Sequence, residues 1–187
     1  MALYKSLNRL KWRKWYTSTE LIYSDTTTGP ILTSNSASGN GIGSVNAQSV
    51  IVTNANNTFS LVLPHDVSSS VSVISYWTDR NFTNSGSTGN IAVWTRPQYF
   101  KLTTNSNTRT ANDGTQIQTT FTANYGGSGN SRAYIVQQTV DFTTVTGYPD
   151  SEDPLGIKVV QFARRGGDAS DTSNDSINCT GVYVYEN

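Results

Sequence analysis

From about residue 49 onward, short β-branched and aromatic runs recur at spacings near ten residues, each closed by a cluster of Asn, Ser, Thr, Gly or Asp. Runs this short cannot display a helical stripe, and turn-forming residues close them, so they read as strands. "SVIVT" and "FSLVL" are separated by "NANNT". In "SVSVISYWT", Val71, Val73, Ser75 and Trp77 alternate with Ser72, Ile74 and Tyr76. "GNIAVWT" and "QYFKL" flank Pro97, which cannot donate to a ladder and is expected at an edge or bend. "TQIQTTFT" puts Ile117 and Phe121 on one side, and "AYIVQQTVDF" sends Tyr134, Val136, Val140 and Phe142 to one face. "IKVVQFA" and "TGVYVYE" follow. No amphipathic helix lies between these runs, which excludes parallel crossovers. The expected fold is all-β: an antiparallel β-sandwich of jelly-roll type with about eight or nine strands.

The 187 residues suffice for one well-buried domain. Ten Tyr and four Trp supply a core despite a hydrophobic share of 35%. Cys179 is the only cysteine, so neither an intrachain disulfide nor a cysteine-based zinc site can form. No apolar run approaches the roughly 18 residues that span a bilayer, so no membrane partner is expected. The basic N-terminus lacks an apolar stretch behind it, so synthesis in a cytoplasm is expected.

Net charge is zero but unevenly placed. Lys5, Arg9, Lys11, Arg13 and Lys14 lie within the first fourteen positions, and the first acidic residue is Glu20. The remainder holds eight basic and thirteen acidic residues, about −5. Residues 1–48 thus read as a basic, aromatic arm followed by the polar linker "DTTTGPILTSNSASGNGIGSVNAQ", with the sandwich at 49–187. The arm reads as a short helix with Leu3, Leu7 and Leu10 on one stripe, or as an extended anchor with Trp12 and Trp15 in pockets. A bland reading is a first β-strand with solvated charges. Among functional readings, docking on an acidic protein neighbour is favoured, because Trp and Arg are strong interface anchors. Its residues are Lys5, Arg9, Lys11, Trp12, Arg13, Lys14 and Trp15. Five cations against an acidic body disfavour nucleic acid.

No catalytic, cofactor-binding or metal-ligating constellation emerges. His65 is the only histidine, and the polarity of its "LPHD" turn explains it. Asp66, Asp79, Asp113 and Asp141 fall in or beside turns, where Asp serves the backbone. "DSEDP" at 150–154 reads as a solvated loop, and "GNGIG" and "YGGSGN" lack the Lys and helix of a phosphate cradle. "ARRGGDASDTSNDS" at 163–176 places Asp168, Asp171 and Asp175 three and four apart, which is not a calcium-loop pattern. It reads as the turn of a hairpin, with Gly166 and Gly167 supplying permissive backbone.

The run "IKVVQFARRGGDASDTSNDSINCTGVYVYE" is similar to the closing segment of small β-sandwich virion proteins of tailed bacteriophages. It has a strand ending in Arg, a Gly/Asp turn, the pair Asp171-Thr172, and a last strand alternating Val and Tyr. "FSLVLPHDVSSSVSVISYW" and "GNIAVW" resemble earlier strands of the same group, so the resemblance covers about residues 57–185. It implies a structural protein of the virion, made in the host cytoplasm, without enzymatic activity or cofactors. Its expected role is capsid decoration (cement), with the major capsid protein or other virion subunits as partners and a homotrimeric state. A tail, tail-fibre or head-fibre component that binds a host glycan is the alternative.

Overall fold

Chain positions 11–17, 20, 22–23, 32–34, 43–47, 58–79, 88–102, 109–124, 133–149, 156–164, 169–172 and 177–187 are the ones described by the structure, a computed structural model. The strands in chain order are β1 (Arg13–Thr17), β2 (Ile22–Tyr23), β3 (Leu32–Ser34), β4 (Gly43–Ala47), β5 (Phe59–Leu63) and β6 (Ser70–Asp79). They continue as β7 (Thr88–Leu102), β8 (Arg109–Asp113), β9 (Ile117–Asn124), β10 (Ala133–Asp141), β11 (Gly156–Arg164) and β12 (Ile177–Glu186). They form two six-stranded sheets, β10-β6-β12-β4-β3 with β1 on β12, and β2-β5-β11-β7-β8 with β9 on β7. The pairings are antiparallel, as the alternating sequence and the missing crossovers require.

The core lies between the inner faces. Val71, Val73 and Trp77 of β6, Val182 and Val184 of β12, and Val136 and Val140 of β10 face Phe59, Leu61 and Leu63 of β5, Ile91 and Val93 of β7, and Val160 and Phe162 of β11. Phe59 stacks on Phe162 at 5.0 Å, and Trp77 meets Phe162 edge-on at 6.4 Å. Burying each such side chain contributes about 1.5–3 kcal/mol, so this layer drives the sheets together.

Several expectations change in the structure. "GNIAVWT" and "QYFKL" are one fifteen-residue strand, β7, with Pro97 in its interior opposite Val160. The Pro97 carbonyl accepts from the Gly114 N–H at 2.9 Å. A strand residue's N–H and C=O point to the same side, so the missing donor faces the turn between β8 and β9, and the β11 ladder loses nothing. Gly114 is suited to this approach, because a Cβ there would lie 2.7 Å from Pro97 Cγ and 2.8 Å from Val145 Cγ2. Within residues 1–48 four short strands join the sheets, β1 and β4 on β12, β3 on β4 and β2 on β5. "SVIVT", "YGGSGN" and "DSEDP" lie outside the described residues.

The largest correction concerns "ARRGGDASDTSNDS". It is not a hairpin turn, since β11 and β12 belong to different sheets and the segment crosses between them. Gly166, Gly167, Asp168 and Asp175 lie outside the described residues. Asp171 and Thr172 are described, and they run along β7 where β11 has left it. The Ala92 N–H donates to Asp171 Oδ2 at 3.2 Å, the Asn90 N–H donates to Thr172 Oγ1, and the Thr172 N–H donates to the Asn90 carbonyl. These two polar residues bond to β7 beyond its Arg164–Val93 pair with β11.

Both ends of the inner face of β11 carry cations. Lys158, Val160, Phe162 and Arg164 all point inward by alternation, opposite Leu63, Leu61 and Phe59 for the first three. The apolar pair fills the core, and each flanking cation is buried against acceptors. Lys158 Nζ donates to the carbonyls of His65 and Val67, holding the "LPHDV" turn. Arg164 is held by Asp171.

Candidate functional site

β1 begins at a carboxylate clamp. Glu186 Oε2 accepts from the Trp12 N–H at 2.6 Å, Oε1 accepts from the Ser68 N–H at 2.7 Å, and the Glu186 N–H donates to the Trp12 carbonyl. The main-chain groups of Trp12 therefore face β12. By alternation those of Lys14 and Tyr16 do too, while those of Arg13, Trp15 and Thr17 face away from it. The Thr17 N–H bears this out by donating to Glu20 Oε2 at 2.9 Å, away from β12.

Side chains divide along the same period. Tyr16 points inward, is buried, and its hydroxyl donates to the Val62 carbonyl of the opposite sheet at 3.0 Å. Burial, with the Glu20 charge adding to it, pushes the Tyr16 hydroxyl up to about 12. Arg13 and Trp15 point outward, and Trp15 is 43% exposed. Its ring meets Tyr76 edge-on at 4.9 Å and lies over Gly181, where a Cβ would collide with the indole.

Beside Trp15, the outward residues of β12 are Tyr183 and Tyr185, their rings 5.7 Å apart, and Gln137 Nε2 donates to the Tyr185 hydroxyl. Lys11, Trp12, Arg13, Tyr183, Tyr185 and Glu186 line a groove of about 460 Å³. Both carboxylate oxygens of Glu186 are engaged at its base, so its charge serves the fold. Lys11 and Arg13 are exposed, and neither has an ion-pair partner among the described residues. Lys14 pairs with Glu20 at 3.1 Å and sits 4.4 Å from the Tyr16 ring centroid. The Thr17 amide, with Lys14 and the Thr17 hydroxyl, holds the Glu20 carboxyl below the usual carboxylate range. The surface therefore combines aromatic rings, two cations without an ion-pair partner among the described residues, and a strand edge that no described strand covers.

Arg13 and Trp15 thus stand on one exposed face of β1, and Lys11 and Arg13 line the groove beside it. Trp12 is half-buried against the core, and Lys14 turns to Glu20. Arg13–Thr17 is strand, and Trp15 is exposed on it rather than seated in a pocket. Lys5, Arg9, Leu3, Leu7 and Leu10 lie outside the described residues. Sequence reasoning missed Tyr183, Tyr185 and Tyr76 as members of this face. The signal was present in "GVYVYE", whose buried valines require that the tyrosines face out.

His65 is exposed in the turn after β5, Asp113 pairs with Arg96 at 2.8 Å, and Asp141 caps the 3-10 turn Phe142–Thr144 by accepting from the Thr143 N–H. Among the described residues, no helix is long and apolar enough to cross a membrane. No family model and no curated protein matches this chain. Among solved structures, that of the infectious bursal disease virus Gt strain is similar over 94% of this chain, at 14% identity and a TM-score of 0.33. This chain covers 32% of that one.

Proposed function

We propose that this chain is a non-enzymatic structural protein of a bacteriophage virion, a capsid decoration (cement) protein docking on the major capsid protein or another virion subunit. One observation carries the docking claim: Arg13 and Trp15 stand two residues apart on an exposed sheet face, beside Tyr183, Tyr185 and Lys11. Trp, Tyr and Arg are the residues that dominate protein interfaces, and here they are exposed on a rigid strand. The virion assignment is supported by the resemblance of residues 57–185 to small phage virion sandwiches. Homotrimers of the 20.3 kDa chain are part of the proposal, and sedimentation equilibrium measures them directly.

The test is uptake onto particles that lack this protein. Arg13→Glu and Trp15→Ala should abolish uptake while the melting temperature stays near that of the parent. Unchanged uptake of both variants overturns the docking claim. Deleting residues 1–24 is a poor substitute, because it also removes buried Tyr16. A second reading, a tail or fibre module that binds host glycan, is favoured by the paired Tyr183 and Tyr185 rings in an open groove. Selective binding on a glycan array would replace the cement reading with this one.

A further inference from the structure

We infer that the open edge of β1 receives an extended acidic segment of a partner protein as an added strand, with an apolar residue opposite Trp15 and a carboxylate opposite Arg13. This rests on the docking reading above and states what docks.

Among the described residues β1 pairs only with β12. The main-chain groups of Arg13 and Trp15 face away from that ladder, because Trp12 is bonded to Glu186 on the other side. Such an edge is a template for another strand, and peptide recognition by strand addition uses it that way. The next residue on the edge already shows which chemistry it accepts. The Thr17 N–H is met by the Glu20 carboxylate, which also accepts from the Thr17 hydroxyl and pairs with Lys14. At Arg13 the arrangement repeats without a paired acid: an outward amide, with the cations of Lys11 and Arg13 close by and no ion-pair partner for either among the described residues. Glu186 does not fill that role, since both its oxygens accept main-chain N–H groups.

Side-chain spacing sets the pattern. Arg13 and Trp15 share the outward face, so the residues opposite them on an added strand are also two apart. An antiparallel strand meets Trp15 before Arg13 and reads apolar-x-acidic from its N-terminus. Opposite charges and aromatic–β-branched neighbours are the favoured cross-strand pairs. The tyrosine-lined groove receives the side chain that follows. A glycan or a single-stranded nucleic acid would use the rings and cations but would leave the edge amides unpaired.

The test uses the full chain, isotopically labelled, titrated with the blocked nonapeptide Thr-Thr-Thr-Val-Thr-Asp-Thr-Thr-Thr. Expected are amide shifts centred on β1, Tyr183 and Tyr185, with slowed hydrogen exchange at Arg13 and Trp15. Replacing the peptide's Asp by Lys should weaken binding at least tenfold. Arg13→Glu should reverse that preference, so that the Lys peptide becomes the tighter ligand. Equal binding of the two peptides, or shifts without slowed exchange at Arg13 and Trp15, overturns the inference. So does tighter binding of dextran or oligo-dT at the same residues. Loss of particle uptake by Arg13→Glu without any peptide binding would overturn strand addition and leave docking intact. Peptide selectivity with unchanged uptake would do the reverse.

Discussion

Arg164 and Asp171 form a two-armed ion pair, Nε to Oδ2 and Nη2 to Oδ1, both 2.7 Å, with each side chain only 1% exposed. Asp171 also accepts from the Ala92 N–H, so one carboxylate both neutralises the cation at the end of β11 and continues the β7 ladder. Removing either partner leaves the other charge buried without compensation. Arg164→Met and Asp171→Ala should each lose about 3–5 kcal/mol in urea unfolding. The double variant Arg164→Met/Asp171→Ala should lose less than the sum, because neither charge is then stranded. Additive losses would disprove the coupling.

Tyr16 joins the two sheets through its hydroxyl bond to the Val62 carbonyl. Tyr16→Phe should cost about 0.5–1.5 kcal/mol, the usual net value of one hydrogen bond. Burial raises the folded-state value from 10.0 to about 12, so the neutral hydroxyl is favoured in the fold. That stability is fully present below pH 10 and is lost as pH rises from there through about 12. Alkaline unfolding followed by tyrosinate absorbance should therefore begin at lower stability, and with a smaller slope, in Tyr16→Phe.

Lys158 is buried on the inner face of β11, with its ammonium on the carbonyls of His65 and Val67. Lys158→Met keeps the length and apolar stem but leaves two acceptors without this donor. A loss of about 1–3 kcal/mol is expected, with faster amide exchange in the turn at 64–67. Retained exchange protection there would mean that Lys158 does not hold the turn.

Gly181 lies under the Trp15 ring, at the point where the β12 register to β6 shifts. Gly181→Ala forces a collision with the indole, and because Trp15 is partly exposed the ring can swing outward. Stability should change by no more than about 1 kcal/mol, since a surface side chain absorbs the clash. Tryptophan emission should shift to longer wavelength. An unchanged spectrum would place the indole elsewhere.

Much of the fold was readable from local order. Val71, Val73, Ser75 and Trp77 face inward as their alternation requires, and so do Tyr134, Val136 and Val140, half-buried or buried. Gln138 shares that inward position and was passed over as a polar residue. It is buried, and its amide donates to the carbonyls of Val93 and Ile117 and to Thr119 Oγ1 across the core. Polarity hid it, because only the opposing sheet supplies the acceptors. The docking residues were legible as a basic aromatic cluster, but the pairing of Lys14 with Glu20, apart from outward Arg13 and Trp15, was not.

What amino-acid order determined by itself is the all-β character and the inward face of each long strand, because a period of two is a property of neighbouring residues. Tertiary structure decided which strands pair and therefore what the polar residues do. Pro97 is tolerated inside a strand because two partners meet there, and Asp171 is an ion-pair partner because β11 and β12 lie in different sheets. The exposed face of β1 exists because Trp12 and Glu186, 174 positions apart, close on each other. Contacts at that range carry no local signature, so only the packed sandwich could bring them together.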